Sequence, residues 1–135
     1  MTDNELIKIA TDAMNYSYSP YSDFKVGAAL LTESGNVFTG CNIENSAFSP
    51  TLCAERVAFS KAVSDGEKKF SKIAIVGGKD GKIENLCPPC GVCRQFMQEF
   101  CNGDFKIILT DKTNPVTVLT LGELLPHSFG TENLR

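Results

Sequence analysis

The chain has 135 residues, of which 42% are hydrophobic and 21% charged, a composition typical of one folded domain with its own core. Its net charge is −3 and its longest basic run is Lys68–Lys69, which argues against a surface that binds a nucleic-acid backbone. No apolar run approaches bilayer length, and charged residues interrupt the N-terminal segment, unlike a signal peptide. We therefore expect a single domain over residues 1–135 in the cytoplasm, with neither a membrane nor a nucleic acid as partner.

The first predicted elements are a helix and a β-hairpin. Thr2 and Glu5 form a capping-box pattern, and apolar residues follow at helical spacing, which predicts a helix over residues 3–16. Apolar runs over residues 25–32 and 37–44 flank the connection ESGN, which predicts two antiparallel strands joined by a short turn.

The rest of the chain alternates helices with buried strands. A helix is predicted over residues 53–65, and strands are predicted at 71–78 and 105–110. Between these strands, two prolines precede the helix that begins at Cys90, where the first amides need no partner within the helix. VTVL predicts a short strand and LGELLP a final helical turn. This order predicts a three-layer α/β/α fold around a mixed sheet of about five strands.

Six cysteines in a cytoplasmic protein are not expected to form a disulfide framework, so metal ligation or burial must account for them. Cys90 and Cys93 form a C-x-x-C pattern on the first turn of a helix, where both thiols can bind one ion. A redox pair or two buried thiols are the alternatives. Cys53 and Glu55 open the other helix, and at a helix start both side chains can reach a site beyond its end.

Three cysteines from two helix starts suit a tetrahedral zinc ion whose fourth position is open for water, as in catalytic sites. A carboxylate beside that position, here Glu55, is suited to general acid/base catalysis. The alternative for Glu55 is a first-turn acid that complements the helix dipole. Cys87 forms a second C-x-x-C pattern with Cys90, and a closed four-cysteine site would be structural. We expect Pro88 and Pro89 to direct Cys87 away from the metal.

The motifs CAE and PPCGVC resemble the signature of zinc-dependent deaminases. CNIEN and FKVGAAL narrow the resemblance to the short, homotetrameric cytidine deaminases that act on free pyrimidine nucleosides, and it extends from SPYSDFKVGAAL to ELLPHSFG. The resemblance implies hydrolytic deamination of cytidine and 2′-deoxycytidine to the uridines with release of ammonia, a reaction of pyrimidine salvage. It implies one catalytic Zn²⁺ per chain and no organic cofactor.

The resemblance also implies a role for each residue that matches a motif. Cys53, Cys90 and Cys93 correspond to the zinc ligands, and Glu55 corresponds to the proton shuttle. Arg56 follows that glutamate, and a cation there would offset the negative charge of three thiolates on one zinc ion. A surface arginine is the alternative for this residue.

Substrate contacts are implied for six further residues. The set that would bind substrate is Phe24, Asn42, Glu44, Phe48, Ala54 and Phe129. Asn42 and Glu44 match the pair that holds the ribose hydroxyls, Phe24 matches the ring that packs on the pyrimidine, and Ala54 would offer its backbone to the base edge. Phe129 matches a phenylalanine that reaches a neighbouring subunit's site. Phe48 stands where the family commonly has a tyrosine that contacts ribose from the adjacent subunit.

Each substrate-binding assignment has a structural alternative. Phe24 and Phe129 are also consistent with an ordinary core, and Asn42 and Glu44 with polar residues at a turn and a strand edge. For the whole protein, the alternatives are a zinc module whose metal serves folding and a deaminase of nucleoside-like antibiotics such as blasticidin S. The motif CNIEN argues against an antibiotic deaminase, because it contains Asn42 and Glu44, which match the ribose-binding pair. A polynucleotide-editing deaminase is disfavoured by the acidic charge.

Overall fold

The computed structural model describes every residue from Met1 to Arg135. Its elements follow in chain order: α1 (Asp3–Met14), β1 (Phe24–Thr32), β2 (Val37–Cys41), α2 (Ala54–Ser64), β3 (Phe70–Lys79), α3 (Gly91–Phe100), β4 (Lys106–Leu109), β5 (Thr117–Thr120), α4 (Leu121–Leu124) and a 3-10 turn (Thr131–Asn133). None of the helices combines the length and the apolarity needed to cross a membrane.

Helix α1 begins as its sequence predicts. The Thr2 hydroxyl accepts a hydrogen bond from the Glu5 amide at 3.1 Å, and the Glu5 carboxylate accepts one from the Thr2 amide, which completes the capping box. The helix ends at Met14, two residues before the predicted end at residue 16. Met14 is the last buried position, whereas Tyr16 is 81% exposed, so no packing stabilises a further turn.

The five strands form one mixed sheet in the order β2-β1-β3-β4-β5. Strands β3 and β4 are parallel, with α3 in the connection between them, and every other neighbouring pair is antiparallel. Because β2 and β3 are both antiparallel to β1, their carboxyl ends lie at the same edge of the sheet. Helices α2 and α3 follow these two ends, and therefore both helices begin at that edge.

Two apolar clusters cover opposite faces of the sheet and confirm the three-layer α/β/α fold. Successive residues of β1 point to opposite faces of the sheet: Leu30 packs in the cluster of Phe59 of α2, whereas Ala29 packs in the cluster of Leu6 of α1. On the α2 and α3 side the core is rich in aromatic rings, and Phe59 and Phe70 meet edge to face with ring centres 4.9 Å apart.

Helix α2 lies unusually close to strand β2. A Cβ atom on Gly40 would lie 2.2 Å from the Ala54 carbonyl oxygen and 2.8 Å from the Ala58 nitrogen, so only glycine allows this approach. The contact fixes the first turn of α2 against the sheet. The sequence motif VFTGC therefore contributes to the position of the residues that open this helix.

Strand β2 is shorter than its apolar pattern predicts. It ends at Cys41 rather than at Glu44, because the chain then leaves β1, and Ile43 forms single bridges with Tyr18 and Leu52. This departure carries Asn42 and Glu44 toward the loop that precedes β1.

Candidate active site and metal centre

Two helix starts bring three thiols together. Cys53 is the N-cap of α2, Cys90 is the N-cap of α3, and Cys93 lies in the first turn of α3. The Sγ atoms of Cys53 and Cys90 are 3.7 Å apart, and those of Cys90 and Cys93 are 3.5 Å apart. A tetrahedral zinc ion with Zn–S bonds of about 2.3 Å requires sulfur separations of about 3.8 Å. These two spacings are close to that value, and all three sulfur atoms lie within 4.8 Å of one another, so the group could hold one zinc ion.

The surroundings of the thiols favour negative charge on Cys53 and oppose it on Cys93. Hydrogen bonding from the Cys93 thiol lowers the pKa of Cys53, and Arg56 and Cys90 lower it further, whereas the same interaction with Cys53 raises the pKa of Cys93. Neither N-cap side chain bonds an amide of its own helix, so the unpaired amides and the helix dipoles remain available to the sulfur atoms.

Arg56 lies against this cluster. Its Nη2 atom is 3.6 Å from the Cys53 sulfur and 3.3 Å from the Thr51 carbonyl oxygen, and the sulfur contact raises the pKa of the guanidinium. Its Nε atom is buried without a partner, the only such side-chain atom in the protein. The arginine is therefore a half-buried donor beside the Cys53 sulfur.

Glu55 lies in the first turn of α2 and is 4% exposed. Burial raises its pKa to about 7, and the negative charge of Cys53 adds to the effect. A carboxyl group with this pKa exchanges protons readily near neutral pH. A first-turn acid that only complements a helix dipole is expected at the surface with an ordinary pKa, so the structure favours a chemical role for Glu55.

The Asn42 side chain replaces the strand pairing that β2 loses. Its Oδ1 atom accepts hydrogen bonds from the Val26 amide at 2.9 Å and from the Ser17 hydroxyl, and its Nδ2 atom donates to the Phe24 carbonyl at 2.8 Å. The amide group therefore fixes the start of β1, where Phe24 is located.

Glu44 is held by the loop that precedes β1. Its Oε1 atom accepts from the Tyr21 and Ser22 amides at 3.0 and 3.2 Å, and its Oε2 atom accepts from the Ser22 hydroxyl. The hydroxyl bond is the main reason that the pKa of Glu44 is lowered. The carboxylate is thus ionised and oriented before any ligand arrives.

The three phenylalanines of the predicted substrate set are all exposed in the single chain. Phe24 is 42%, Phe129 is 58% and Phe48 is 75% exposed, so the core interpretation of Phe24 and Phe129 is wrong. Phe48 also has a φ of 60°, a left-handed conformation that is rare for an aromatic residue. Ala54 is fully buried at the start of α2.

Cys87 lies outside the group of three thiols that could hold a metal. Its sulfur and the Phe24 ring both pack where Gly77 lacks a side chain, at 2.7 and 3.2 Å from the position a Cβ atom would take. Burial raises the pKa of this thiol to about 12, so it remains protonated at neutral pH. The arrangement agrees with the expectation that the two prolines direct Cys87 elsewhere.

Comparison with known proteins assigns this geometry to a family. The family model described as "Cytidine and deoxycytidylate deaminase zinc-binding region" matches residues 1–109. The chain belongs to this family. The cytidine deaminase of Sporosarcina psychrophila is 48% identical over 130 residues, which cover 96% of this chain and 93% of that protein.

Solved structures agree with the family. The cytidine deaminase of Burkholderia pseudomallei superposes with a TM-score of 0.87 at 42% identity, covering 96% of this chain and all of the other. The cytidine deaminase of Mycobacterium tuberculosis gives a TM-score of 0.81 at 38% identity, covering 96% of this chain and 98% of the other. The family binds zinc, and the Cys53, Cys90 and Cys93 thiols are positioned to hold that ion.

Sequence reasoning missed three residues that support this site: Ser17, Ser22 and Arg94. Ser17 and Ser22 bond the Asn42 and Glu44 side chains, and Arg94 bonds the carbonyl that precedes Cys90. Ser22 lies in the turn-rich segment SPYSD, but nothing in that segment indicates which carboxylate its hydroxyl will bind.

Proposed function

We propose that the protein is a cytidine deaminase that hydrolyses cytidine and 2′-deoxycytidine to uridine and 2′-deoxyuridine and releases ammonia. The observation that carries this proposal is the Glu55 carboxyl, buried at the start of α2 beside three thiols spaced for one zinc ion. A zinc module that serves only folding has no need of an ionisable group buried in this position.

Glu55 is the group that moves protons in the proposed reaction. The bound zinc ion supplies Lewis-acid activation of water. Glu55 accepts a proton from the attacking water and delivers it to the ring nitrogen next to the carbon that bears the amino group. It then takes the second proton of that water and passes it to the departing amine, so that ammonia leaves and a carbonyl remains.

The chain's other groups would bind and orient the nucleoside. Phe24 would pack on the pyrimidine, and the Ala54 backbone would meet the base edge. The Asn42 amide group would donate a hydrogen bond to the ribose hydroxyls, and the Glu44 carboxylate would accept from them. The bonds from Tyr21 and Ser22 already orient the Glu44 carboxylate, so a ribose hydroxyl would meet an acceptor that needs no rearrangement. We propose that Arg56 offsets the charge of the three thiolates and so keeps the metal electrophilic.

We further propose that the working form is a homotetramer in which Phe48 and Phe129 contribute to a neighbouring subunit's site. Their exposure in the single chain supports this, because large aromatic rings are rarely left in water without a partner. We place the enzyme in the cytoplasm, in pyrimidine salvage, as a single domain over residues 1–135. Six unpaired cysteines support that compartment.

The direct test is to incubate the purified zinc-loaded protein with cytidine and to follow both the ultraviolet absorbance and the release of ammonia. Glu55→Gln should keep its zinc and lose about 10²–10⁴-fold in kcat, the usual contribution of a general acid/base group. Glu99→Gln, an exposed glutamate on α3, serves as the control and should retain wild-type turnover. Wild-type turnover in Glu55→Gln would remove this residue from the mechanism, and an inert wild-type protein would favour a folding role for the metal.

A further inference from the structure

Arg94 joins two parts of the protein that are far apart in the sequence. It lies on α3 directly after Cys93 and is half-buried. Its Nε atom donates to the Pro89 carbonyl at 2.7 Å, and its Nη1 atom donates to the Leu124 carbonyl at 2.7 Å. Both bonds have the short length of charge-assisted hydrogen bonds, which are stronger than neutral ones.

The location of this cation needs an explanation other than helix stability. Positive charge near a helix N-terminus is disfavoured by the helix dipole, and Arg94 is the fourth residue of α3. It has no carboxylate partner, because the only ion pair in the protein joins Lys72 to Asp3. The two carbonyl oxygens are therefore its hydrogen-bond partners, and one of them belongs to the residue immediately before a metal ligand.

The loop that carries Cys90 has no other hydrogen-bonded support. Residues 85–89 take part in no backbone–backbone hydrogen bond, and Pro88 and Pro89 have no amide to donate. The bond from Arg94 is the only side-chain hydrogen bond to this stretch. Because the Pro89–Cys90 peptide group is planar, fixing the Pro89 carbonyl also fixes the direction from which Cys90 enters the site.

The second acceptor lies in the C-terminal segment, which we define as residues 121–135. Leu124 ends α4, whose Leu121 is fully buried in the main core. Gln95, next to Arg94, donates from Nε2 to the Phe129 carbonyl at 2.9 Å. Helix α3 thus holds this segment through two adjacent side chains, but only Arg94 also contacts the loop before Cys90.

We propose that Arg94 is a positioning residue that fixes Cys90 for zinc binding and couples the zinc site to the C-terminal segment. Loss of its two hydrogen bonds frees the 85–89 loop, so Cys90 spends part of its time turned away from the metal. Zinc then escapes faster, although no ligand has been changed. The proposal relies on Cys90 being a zinc ligand.

The experiment measures the rate at which zinc passes from the loaded protein to a chromogenic chelator, well below the unfolding temperature. Arg94→Met keeps the aliphatic stem but no donor, and its zinc release should be about 10–100-fold faster, the usual effect of losing a group that orients a ligand. The zinc-release rate of Arg94→Lys should lie between those of the wild type and Arg94→Met, because one ammonium group cannot donate to both carbonyls in the way a guanidinium does. Glu99→Gln, at an exposed position of the same helix, is the matched control and should release zinc at the wild-type rate.

A second arm tests the coupling. Leu121→Ala removes part of the packing of α4 against the main core, so it should speed zinc release when Arg94 is present. In the Arg94→Met background, the same substitution should not speed zinc release further. Additive effects would overturn the coupling to the C-terminal segment.

The ligand assignment is tested separately by Cys90→Ser. Full zinc retention in Cys90→Ser would refute the assignment, whatever Arg94 does. If Cys90→Ser loses zinc while Arg94→Met releases it at the wild-type rate, the positioning role is wrong. Should Arg94→Met fail to fold, Arg94→Lys decides, since release at the wild-type rate overturns the role and faster release supports it.

Discussion

Glu55 is nearly inaccessible to solvent, and in the metal-free chain its pKa is raised from 4.5 to about 7. Burial is the main cause, because a low-dielectric environment disfavours the carboxylate. The raised pKa of Glu55 should therefore lower the free energy of unfolding of the metal-free protein at neutral pH.

The pH dependence of that effect has a definite sign. Below pH 4.5 the carboxyl is protonated in both the folded and the unfolded chain, so it does not change the free energy of unfolding. Between pH 4.5 and about 7 the unfolded chain ionises first, so the folded state loses stability as the pH rises. Chemical denaturation of the metal-free protein should show Glu55→Gln gaining roughly 3 kcal/mol over the wild type across this range. A difference that does not change with pH would show that Glu55 ionises normally in the folded protein.

Cys87 and Cys90 provide a matched pair of single-residue tests. Cys90→Ser should abolish stoichiometric zinc binding, because it removes one of three closely spaced thiols. Cys87→Ser should keep one zinc ion per chain and its activity, because Cys87 packs against Gly77 instead. Metal analysis of both purified variants measures the outcome, and loss of zinc from Cys87→Ser would indicate a closed four-cysteine site.

Among the secondary-structure elements, those set by local patterns were predictable. The capping box and helical spacing placed α1, and the β-branched apolar runs placed β3 and β4. The end of β2 was not predictable, because it depends on hydrogen bonds between the Asn42 side chain and the backbone of β1. Such pairings arise only when distant parts of the chain are already in place.

The residues of the candidate site also divide into those that local sequence motifs predict and those that they do not. Spacing at two helix starts pointed to the three thiols and Glu55, since each motif is local, and the resemblance of CAE and PPCGVC to the deaminase signature implied their roles. Arg94 and Ser22 were not predictable, because their partners Leu124 and Glu44 are 30 and 22 positions away. Both partner interactions involve groups that give no sequence pattern of their own.

The contact between β2 and α2 yields a prediction for a whole helix. Gly40→Ala would place a methyl group about where the Ala54 carbonyl lies, so α2 must move outward and carry Cys53 and Glu55 with it. We expect lower thermal stability and a loss of turnover that exceeds any loss of helix content, measured by circular dichroism and the cytidine assay.

Gly103→Ala is the control for this substitution, because the nearest atom to its new methyl group would be at an ordinary 3.7 Å. It should leave both turnover and stability close to wild type. Equal behaviour of the two variants would mean that the close approach at Gly40 does not position the helix.

At the scale of the whole molecule, the exposed rings predict that activity requires assembly. Deletion of residues 128–135 removes Phe129 but leaves the Arg94 contact to Leu124, so zinc and most of the helix content should remain. The KM for cytidine should rise, because the proposed contribution to a neighbouring site is lost.

Analytical ultracentrifugation, with activity assayed on the same samples, measures this outcome. The chain of residues 1–135 should sediment as a tetramer, and the deletion should weaken the association. A fully active monomer of the undeleted chain would contradict both the assembly and the shared site.

The thiols that meet at the two helix starts come from positions 37 residues apart, since Cys53 precedes β3 and Cys90 follows it. A metal held by both is a cross-link that closes a long loop of the chain, and it can form only after α2, β3 and α3 have reached their places. Zinc uptake during refolding should therefore mark the moment at which the sheet edge is complete. This chain contains no tryptophan, so its folding cannot be followed by intrinsic indole fluorescence. The rate of zinc uptake would provide a kinetic probe of folding instead.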